Sequence, residues 1–366
     1  EDGIRDIGVT GVQTCALPIS GFFILGLLLM NSKLLFRPDN LLVSSYLLLS
    51  FLAIIANLSF SNSPLSQKVW GVFGRNNGAL SYFSLTLVLV GMSLIRDREF
   101  YKKVLYSLTA TSIPVLIYCF FQINHIDPIR WSSFAPFATF GNVNFLSAFL
   151  GMATVASVGF LLMTRSMKLR FLHIMLTFSF IFVILKTGSI QGLAVAGTGG
   201  LILMVLNEQK KGTVRKLIAY LVFLSVMTLS GLALFDRGPL AKVIFQPTII
   251  FRVDYMQAAW KTFLQHPLVG VGLDGFGDWY RANRGIISAF RTGTSRTSNS
   301  AHNVILDMAA GGGSILVVPY LILVTYILFI SVRFIRANNH SDIMFATLVS
   351  TWIGYLVQSV ISINQI

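Results

Sequence analysis

The chain has 366 residues, of which 54% are hydrophobic and only 11% charged, whereas a soluble domain carries about 25% charged residues. That deficit, with a mean hydropathy of +0.73, excludes a disordered chain, a collagen-like fibre and an ordinary cytosolic enzyme. The formal charge of +14 would suggest nucleic acid in a soluble protein, but in so apolar a chain the distribution of the charges gives another cause.

Residues 1–19, EDGIRDIGVTGVQTCALPI, contain no initiator Met and no apolar run. They resemble the translated read-through of a sequencing adapter and are expected to lie outside the fold. Apolar runs follow at 21–36, 41–59, 79–95, 104–122, 143–163, 171–186, 189–206, 217–235, 305–332 and 343–363. Most reach the roughly 17–25 residues that carry a helix across a bilayer. The fold class expected is all-α, a polytopic membrane helical bundle of about ten transmembrane helices. Residues 20–235 would form an N-terminal bundle, 236–302 a large, partly helical loop, and 303–366 C-terminal helices that are expected to be cut short.

Lys and Arg crowd the short connections 33–37, 96–103, 165–170, 210–216 and 333–336, and are sparse in the connections between. The positive-inside rule then places the basic connections in the cytoplasm and accounts for the net charge without nucleic acid. The opposite side carries 62–77, 124–142, a tight turn at Thr187–Gly188, and 236–302. Unstructured loops rarely exceed about 12–15 residues unless they are functional, so the long loop is where functional residues are sought. The sequence shows no internal repeat, which weakens an inverted-repeat transporter reading. Cys15 and Cys119 do not form a disulfide framework, and Cys119 reads as a small core residue inside a span.

Within the long loop Val253, Met256, Trp260, Phe263 and Leu264 recur at helical spacing, with Arg252, Gln257 and Lys261 on other faces. That pattern predicts an amphipathic helix lying on the membrane or capping the bundle, stopped at His266–Pro267. The following Gly270-Val-Gly272-Leu-Asp-Gly275 matches GxGxxG letter for letter, but no βαβ context surrounds it. Its glycines read as tight turns, with a phosphate-cradling nest as the alternative. Arg281, Arg284, Arg291 and Arg296 then sit among Ser, Thr and Asn, as either a solvated surface or a grip for an anionic lipid diphosphate. Of the five histidines, His125, His266 and His340 fall in loops and His173 opens a span. His302 closes the long loop and begins a helix, where an imidazole can take a proton from a hydroxyl near neutral pH. The residues His, Cys, Asp and Glu show no metal-ligand spacing, and no metal or other cofactor is expected.

Several strings together resemble the signature of the O-antigen ligase and polymerase superfamily. They are Arg252…Trp260…His266-Pro267-Leu268-Val269-Gly270-Val271-Gly272…Phe276 and Ala301-His302-Asn303…Leu306-Asp307, preceded in order by Gly74-Arg75-Asn76-Asn77-Gly78, Gly141-Asn142-Val143-Asn144-Phe145 and Thr187-Gly188-Ser189. The similarity covers roughly residues 40–366. Many ligases carry Ser-Arg at the last of these turns, whereas this chain has Ser189-Ile190-Gln191.

The resemblance implies a metal-independent glycosyltransferase with a GT-C-like helical membrane fold in the bacterial inner membrane, its active site facing the periplasm. The donor would be a glycan on a polyprenyl diphosphate, and the acceptor another glycan, lipid A core or a protein, with membrane lipids around them. A diphosphate is already a good leaving group, so such a site needs cations rather than a general acid. Arg75 and Arg252 are the first choices, with Arg281 and Arg284 behind them and Gln191 where an Arg would stand. His302 would act as base toward the acceptor hydroxyl, with Asn303 positioning. Asn142 and Asn144 would contact sugar or cap a helix, and Trp260 and Tyr280 would stack on glycan or anchor at the interface. A lipid-oligosaccharide flippase and a catalytically inactive relative are the alternatives. The charge distribution generates a topology prediction. Single cysteines at Asn76 and Ser295 are expected to label from outside intact cells and one at Gly212 not to; outside labelling of Gly212 overturns the orientation.

Overall fold

The computed structural model describes residues 10–37, 40–127, 129, 135–208, 213–234, 236–244, 247–293, 297–337 and 342–363. Gly212, Ser295, Arg296 and His340 lie outside these residues. All regular elements among them are helical. They are α1 (Thr10–Met30), α2 (Leu41–Phe60), α3 (Leu65–Trp70), α4 (Ala79–Leu94), α5 (Arg98–Ile123), α6 (Val143–Met163), α7 (Met167–Thr187), α8 (Ile190–Glu208) and α9 (Thr213–Leu234), then α10 (Ala241–Ile244), α11 (Pro247–Gln265), α12 (Phe276–Asn283), α13 (Ile286–Thr292), α14 (Val304–Ala337) and α15 (Ile343–Ile361). Among the described residues seven helices, α2, α5, α6, α7, α8, α14 and α15, are long and apolar enough to cross a membrane, and shorter apolar stretches lie in α1, α4 and α9. Helix α1 begins at Thr10 and runs through Pro18, inside the segment expected to stay outside the fold.

The chain forms two compact units, each discontinuous in sequence. One comprises 1–96, 250–328 and 359–366, the other 97–249 and 329–358. In the second unit α6 is the most enclosed span, with 72% of its apolar window buried against 28% for α5, α7 and α8. Leu146 and Leu150 of α6 meet Phe180, Val183 and Ile184 of α7 in one cluster. Helix α8 approaches so closely that a Cβ on Gly192 would stand 2.4 Å from the Ser147 carbonyl oxygen. Small residues permit this backbone contact, the usual means of helix association in lipid.

The first unit packs α1, α2 and α4 around Leu28, Leu87 and Val90, and its central feature is a break in α14. Gly313 takes φ 66° and ψ −172° inside that helix. In an unbroken helix the Ala310 and Gly311 carbonyls would accept from Ser314 and Ile315. Here a turning segment of the long loop, 267–272, supplies all four partners. Val271 N–H donates to Ala310 at 2.9 Å and Gly272 N–H to Gly311 at 2.9 Å, while Ser314 N–H donates to Pro267 at 2.8 Å and Ile315 N–H to Leu268 at 3.2 Å. Asn57 of α2, 1% exposed, clamps the junction. Its amide donates to the Val269 and Gly311 carbonyls at 2.6 and 2.8 Å, and its oxygen accepts from Leu273 N–H at 3.1 Å. Lys68 caps the end of α2 by donating to the Leu58 and Ser61 carbonyls, where the helix dipole favours a cation.

The glycines of the GxGxxG match sit in tight turns, Gly270 at φ 68° and Gly272 at φ 123°, with Gly275 N–H donating to the Gly272 carbonyl at 2.9 Å. They also permit close backbone approach: a Cβ on Gly270 would lie 2.5 Å from Gly311 C, and on the helix side one on Gly313 would lie 2.1 Å from the Leu268 oxygen. The Val271, Gly272 and Leu273 N–H groups are bonded within the protein, so they form no phosphate nest. Helix α11 does form, and ends at Gln265 before His266–Pro267. Its packed face, however, is Asp254, Tyr255, Ala258, Ala259 and Thr262, while Trp260 and Leu264 of the apolar stripe remain 49% and 59% exposed. Short side chains are needed where α11 meets Phe276 and Tyr280, which leaves the large apolar ones facing outward, as a helix on a membrane surface requires. A buried group left unpaired costs about 1–3 kcal/mol. Asn57→Ala is therefore expected to lower the melting temperature in detergent, and Asn57→Asp to lower it further, because a carboxylate cannot donate to two carbonyls; equal melting of all three proteins contradicts the clamp.

Candidate functional site

The segment before α14 is shaped by side chains on that helix. Asn303 is its cap: Oδ1 accepts from Leu306 N–H at 3.0 Å and Nδ2 donates to the Val360 carbonyl at 3.0 Å. Asp307 reaches back from the first turn. Its Oδ1 accepts from Ala301 N–H at 2.7 Å and its Oδ2 from the Ser300 hydroxyl at 2.6 Å. The Ser300 hydroxyl oxygen accepts in turn from His302 N–H at 3.0 Å. Held so, His302 adopts φ 54°, a left-handed conformation uncommon outside glycine. Its partly exposed ring lies against Tyr255 of α11, centroids 5.4 Å apart. Neither imidazole nitrogen makes a hydrogen bond among the described residues.

Asp274, in the turn that follows the docked segment, organises the opposite wall. Its carboxylate accepts from Val72 N–H at 2.7 Å and lies 3.5 Å from the Arg75 guanidinium, with the carboxylate 1% and the guanidinium side chain 16% exposed. Arg75 also donates to the Asn299 carbonyl, joining the Gly71–Gly78 segment to the strand of chain that carries His302. Arg75, Asp274, Tyr82, Asn299 and Asp307 line one small cavity.

The electrostatics follow from burial. His302 is pulled down to about 4, by burial first and then by the positive charges of Arg252 and Arg75, so its imidazole is neutral at physiological pH. Burial also lowers Arg252, though a guanidinium remains charged. Asp274 is raised by burial, against the opposing pull of Arg75 and of the Val72 and Asn77 amides. Among the described residues no three His, Cys, Asp or Glu side chains gather as metal ligands would.

The structure thus brings Arg75, Arg252, His302 and Asn303 into one unit, with the Asn303 side chain engaged as a helix cap. Arg284 donates to the Gly293 carbonyl at 3.1 Å, Arg291 pairs with Asp254 at 3.0 Å, and Arg281 is exposed. Trp260 packs against Phe263 with the rings tilted, centroids 5.3 Å apart, on the outward face of α11. Tyr280 is fully buried against Tyr255 and Phe276, so it presents no face to a glycan. Asn142, Asn144 and Gln191 belong to the other unit. There Asn142 caps α6 by accepting from Asn144 N–H at 2.8 Å, and Asn144 accepts from the Ser189 hydroxyl at 2.8 Å. Gln191, 2% exposed, follows at the start of α8. Sequence reasoning passed over Asp274, Asp307, Ser300 and Tyr255. For the two acids a signal existed: each is an unpaired carboxylate in an apolar neighbourhood, and such groups acquire partners.

A helical, multi-pass membrane protein with a neutral imidazole beside two arginines is the class these features define. The family model described as O-antigen ligase matches residues 152–321, a stretch that includes Arg252 and His302, and the match supports membership of the chain in that family. No curated protein matches the chain significantly. The depressed His302 value has a direct readout. Acylation of the His302 peptide by diethyl pyrocarbonate, followed by mass spectrometry, is expected to stay constant from pH 8 to about 5 and to fall only toward pH 4; a midpoint near the ordinary 6.5 contradicts the buried, cation-flanked setting.

Proposed function

We propose that the protein is a membrane glycosyltransferase that moves a glycan from a polyprenyl-diphosphate carrier to an acceptor hydroxyl on the extracytoplasmic side of a bacterial inner membrane. The observation that carries this reading is the His302 imidazole, neutral and without a hydrogen-bonding partner among the described residues, beside Arg252 and Arg75. In the proposed step the acceptor oxygen bonds to the anomeric carbon, the carbon–oxygen bond to phosphate breaks, and the diphosphate leaves with the electron pair. His302 takes the hydroxyl proton, and a positioned base of this kind is typically worth about 10²–10⁴ in rate. Arg252 holds the diphosphate through its planar fork. Arg75, already paired with Asp274, adds less net charge and serves more to shape the wall. With side-chain cations in this role the reaction is read as metal-independent. The bundle would be GT-C-like with about ten crossings, and the excess of Lys and Arg in the short connections supports a site on the outer side. The acceptor is a glycan, lipid A core or a protein.

Transfer assays in membranes test the reading. His302→Ala is expected to insert and bind donor normally yet lose transfer by about 10²–10⁴, while His302→Gln rescues little. Arg252→Lys, which keeps charge but loses the fork, is expected to weaken donor binding, and Arg252→Ala to weaken it more. An alanine variant of His302 that transfers at the parent rate removes the enzyme reading at this site, and unchanged donor affinity in both Arg252 variants removes that residue from it.

A further inference from the structure

The backbone of His302 sits in a conformation that a non-glycine residue adopts only at a cost, and the Asp307 carboxylate anchors two of the groups that hold it there, beside the Ser298 hydroxyl, which donates to the Ser300 carbonyl at 2.7 Å. Asp307 accepts from Ala301 N–H at 2.7 Å and from the Ser300 hydroxyl at 2.6 Å. Ser300 has its hydroxyl directed to Asp307, so its oxygen lone pair is left to accept from His302 N–H at 3.0 Å. Ser300 and Ala301 are therefore tied directly to the first turn of α14, and His302 is tied to it through the Ser300 hydroxyl. The helix itself is held by the Asn303 cap and by the segment docked at Gly311–Gly313. By contrast the imidazole makes no hydrogen bond among the described residues, and what holds its direction there is its backbone and the Tyr255 ring. An ordinary catalytic histidine is oriented through its second ring nitrogen; this one is oriented from behind.

We propose that Asp307, acting through the Ser300 hydroxyl and the Ala301 amide, is the positioning residue that aims the His302 imidazole at the acceptor hydroxyl. The proposal rests on His302 being the base of the transfer reaction. Asp307 touches no substrate in this scheme and moves no proton. Its contribution is geometric: a misplacement of about 1 Å is enough to cost roughly 10²-fold in rate, while donor binding through Arg252 is left intact.

The test uses the full-length protein in membranes, with Ser300→Ala, Ser300→Thr and Asp307→Asn beside His302→Ala. Ser300→Ala removes one oxygen and is the mild variant should Asp307→Asn fail to fold. Ser300→Ala is expected to lower kcat by about 10- to 100-fold with donor KM within about twofold, and Ser300→Thr, which keeps the hydroxyl, to retain most of the rate. Diethyl pyrocarbonate acylation of the His302 peptide reads the same change without turnover. In Ser300→Ala its pH midpoint is expected to rise from about 4 toward the ordinary 6.5, as the ring leaves its site beside Arg252 and Arg75. Parental kcat and a parental acylation midpoint in Ser300→Ala overturn the proposal. Equal losses in Ser300→Ala and Ser300→Thr, with the acylation midpoint unmoved, also overturn it. If His302→Ala itself transfers at the parent rate, it is the enzyme reading that fails, and the acylation midpoints still report whether Asp307 and Ser300 hold the ring.

Discussion

A long apolar helix broken in its interior exposes backbone N–H and C=O groups that lipid cannot satisfy. In α14 the break at Gly313 frees the Ala310 and Gly311 carbonyls and the Ser314 and Ile315 amides, and the chain from Pro267 to Gly272 meets all four. This exchange constrains everything around it. The docked segment must turn against the helix and come within van der Waals contact of its backbone, so neither Gly270 nor Gly313 has room for a Cβ. Because the segment belongs to the long loop, the loop is tied to the helix it precedes, with Asn57 closing the junction from a third element.

The functional residues hang from that joint. The turn after the docked segment presents Asp274, which fixes the Gly71–Gly78 segment and with it Arg75. The N-terminal portion of the broken helix presents Asp307, which fixes Ser300 and Ala301. The two carboxylates thus hold the two walls, and Arg75 lines the small cavity with them. Such a balance suits a site that meets an anion. A buried guanidinium carries a desolvation cost, and the Asp274 carboxylate offsets it for Arg75. Burial first, and then the positive charges of Arg252 and Arg75, keep His302 neutral; this leaves a ring nitrogen free of a proton and at the same time makes it a weaker base than an exposed imidazole.

Helices were legible because their signals are local. Every apolar run foreseen from the sequence appears as a helix, and most ends agree within a few residues, since length and hydropathy decide what can lie in a bilayer. The turn at Thr187–Gly188 also appears, with Gly188 at φ 67°. Local pattern was silent where a choice of partner was involved. In α11 the apolar stripe pointed to a helix on the membrane or capping the bundle, and Trp260 and Leu264 do face outward, but nothing in it singled out Tyr255, Ala258 and Ala259 as the face that meets Phe276 and Tyr280. The glycines after His266 read as turns, which they form, but nothing in their own neighbourhood reveals that Gly311 and Gly313 lie against them.

His302 and Arg252 were legible as residue types in a suggestive order, and their burial beside one another was not. The roles of Asp274, Asp307 and Ser300 depend on hydrogen bonds that join segments up to about two hundred residues apart, as Asp274 to Val72 does, and periodicity carries no information at that range. The amino-acid sequence by itself determined that this chain is helical and apolar enough for a membrane, because those properties sum over single residues. Only the tertiary structure decided which carboxylates and backbone groups surround the imidazole, because an unpaired polar group in an apolar interior is satisfied by whatever the fold brings to it.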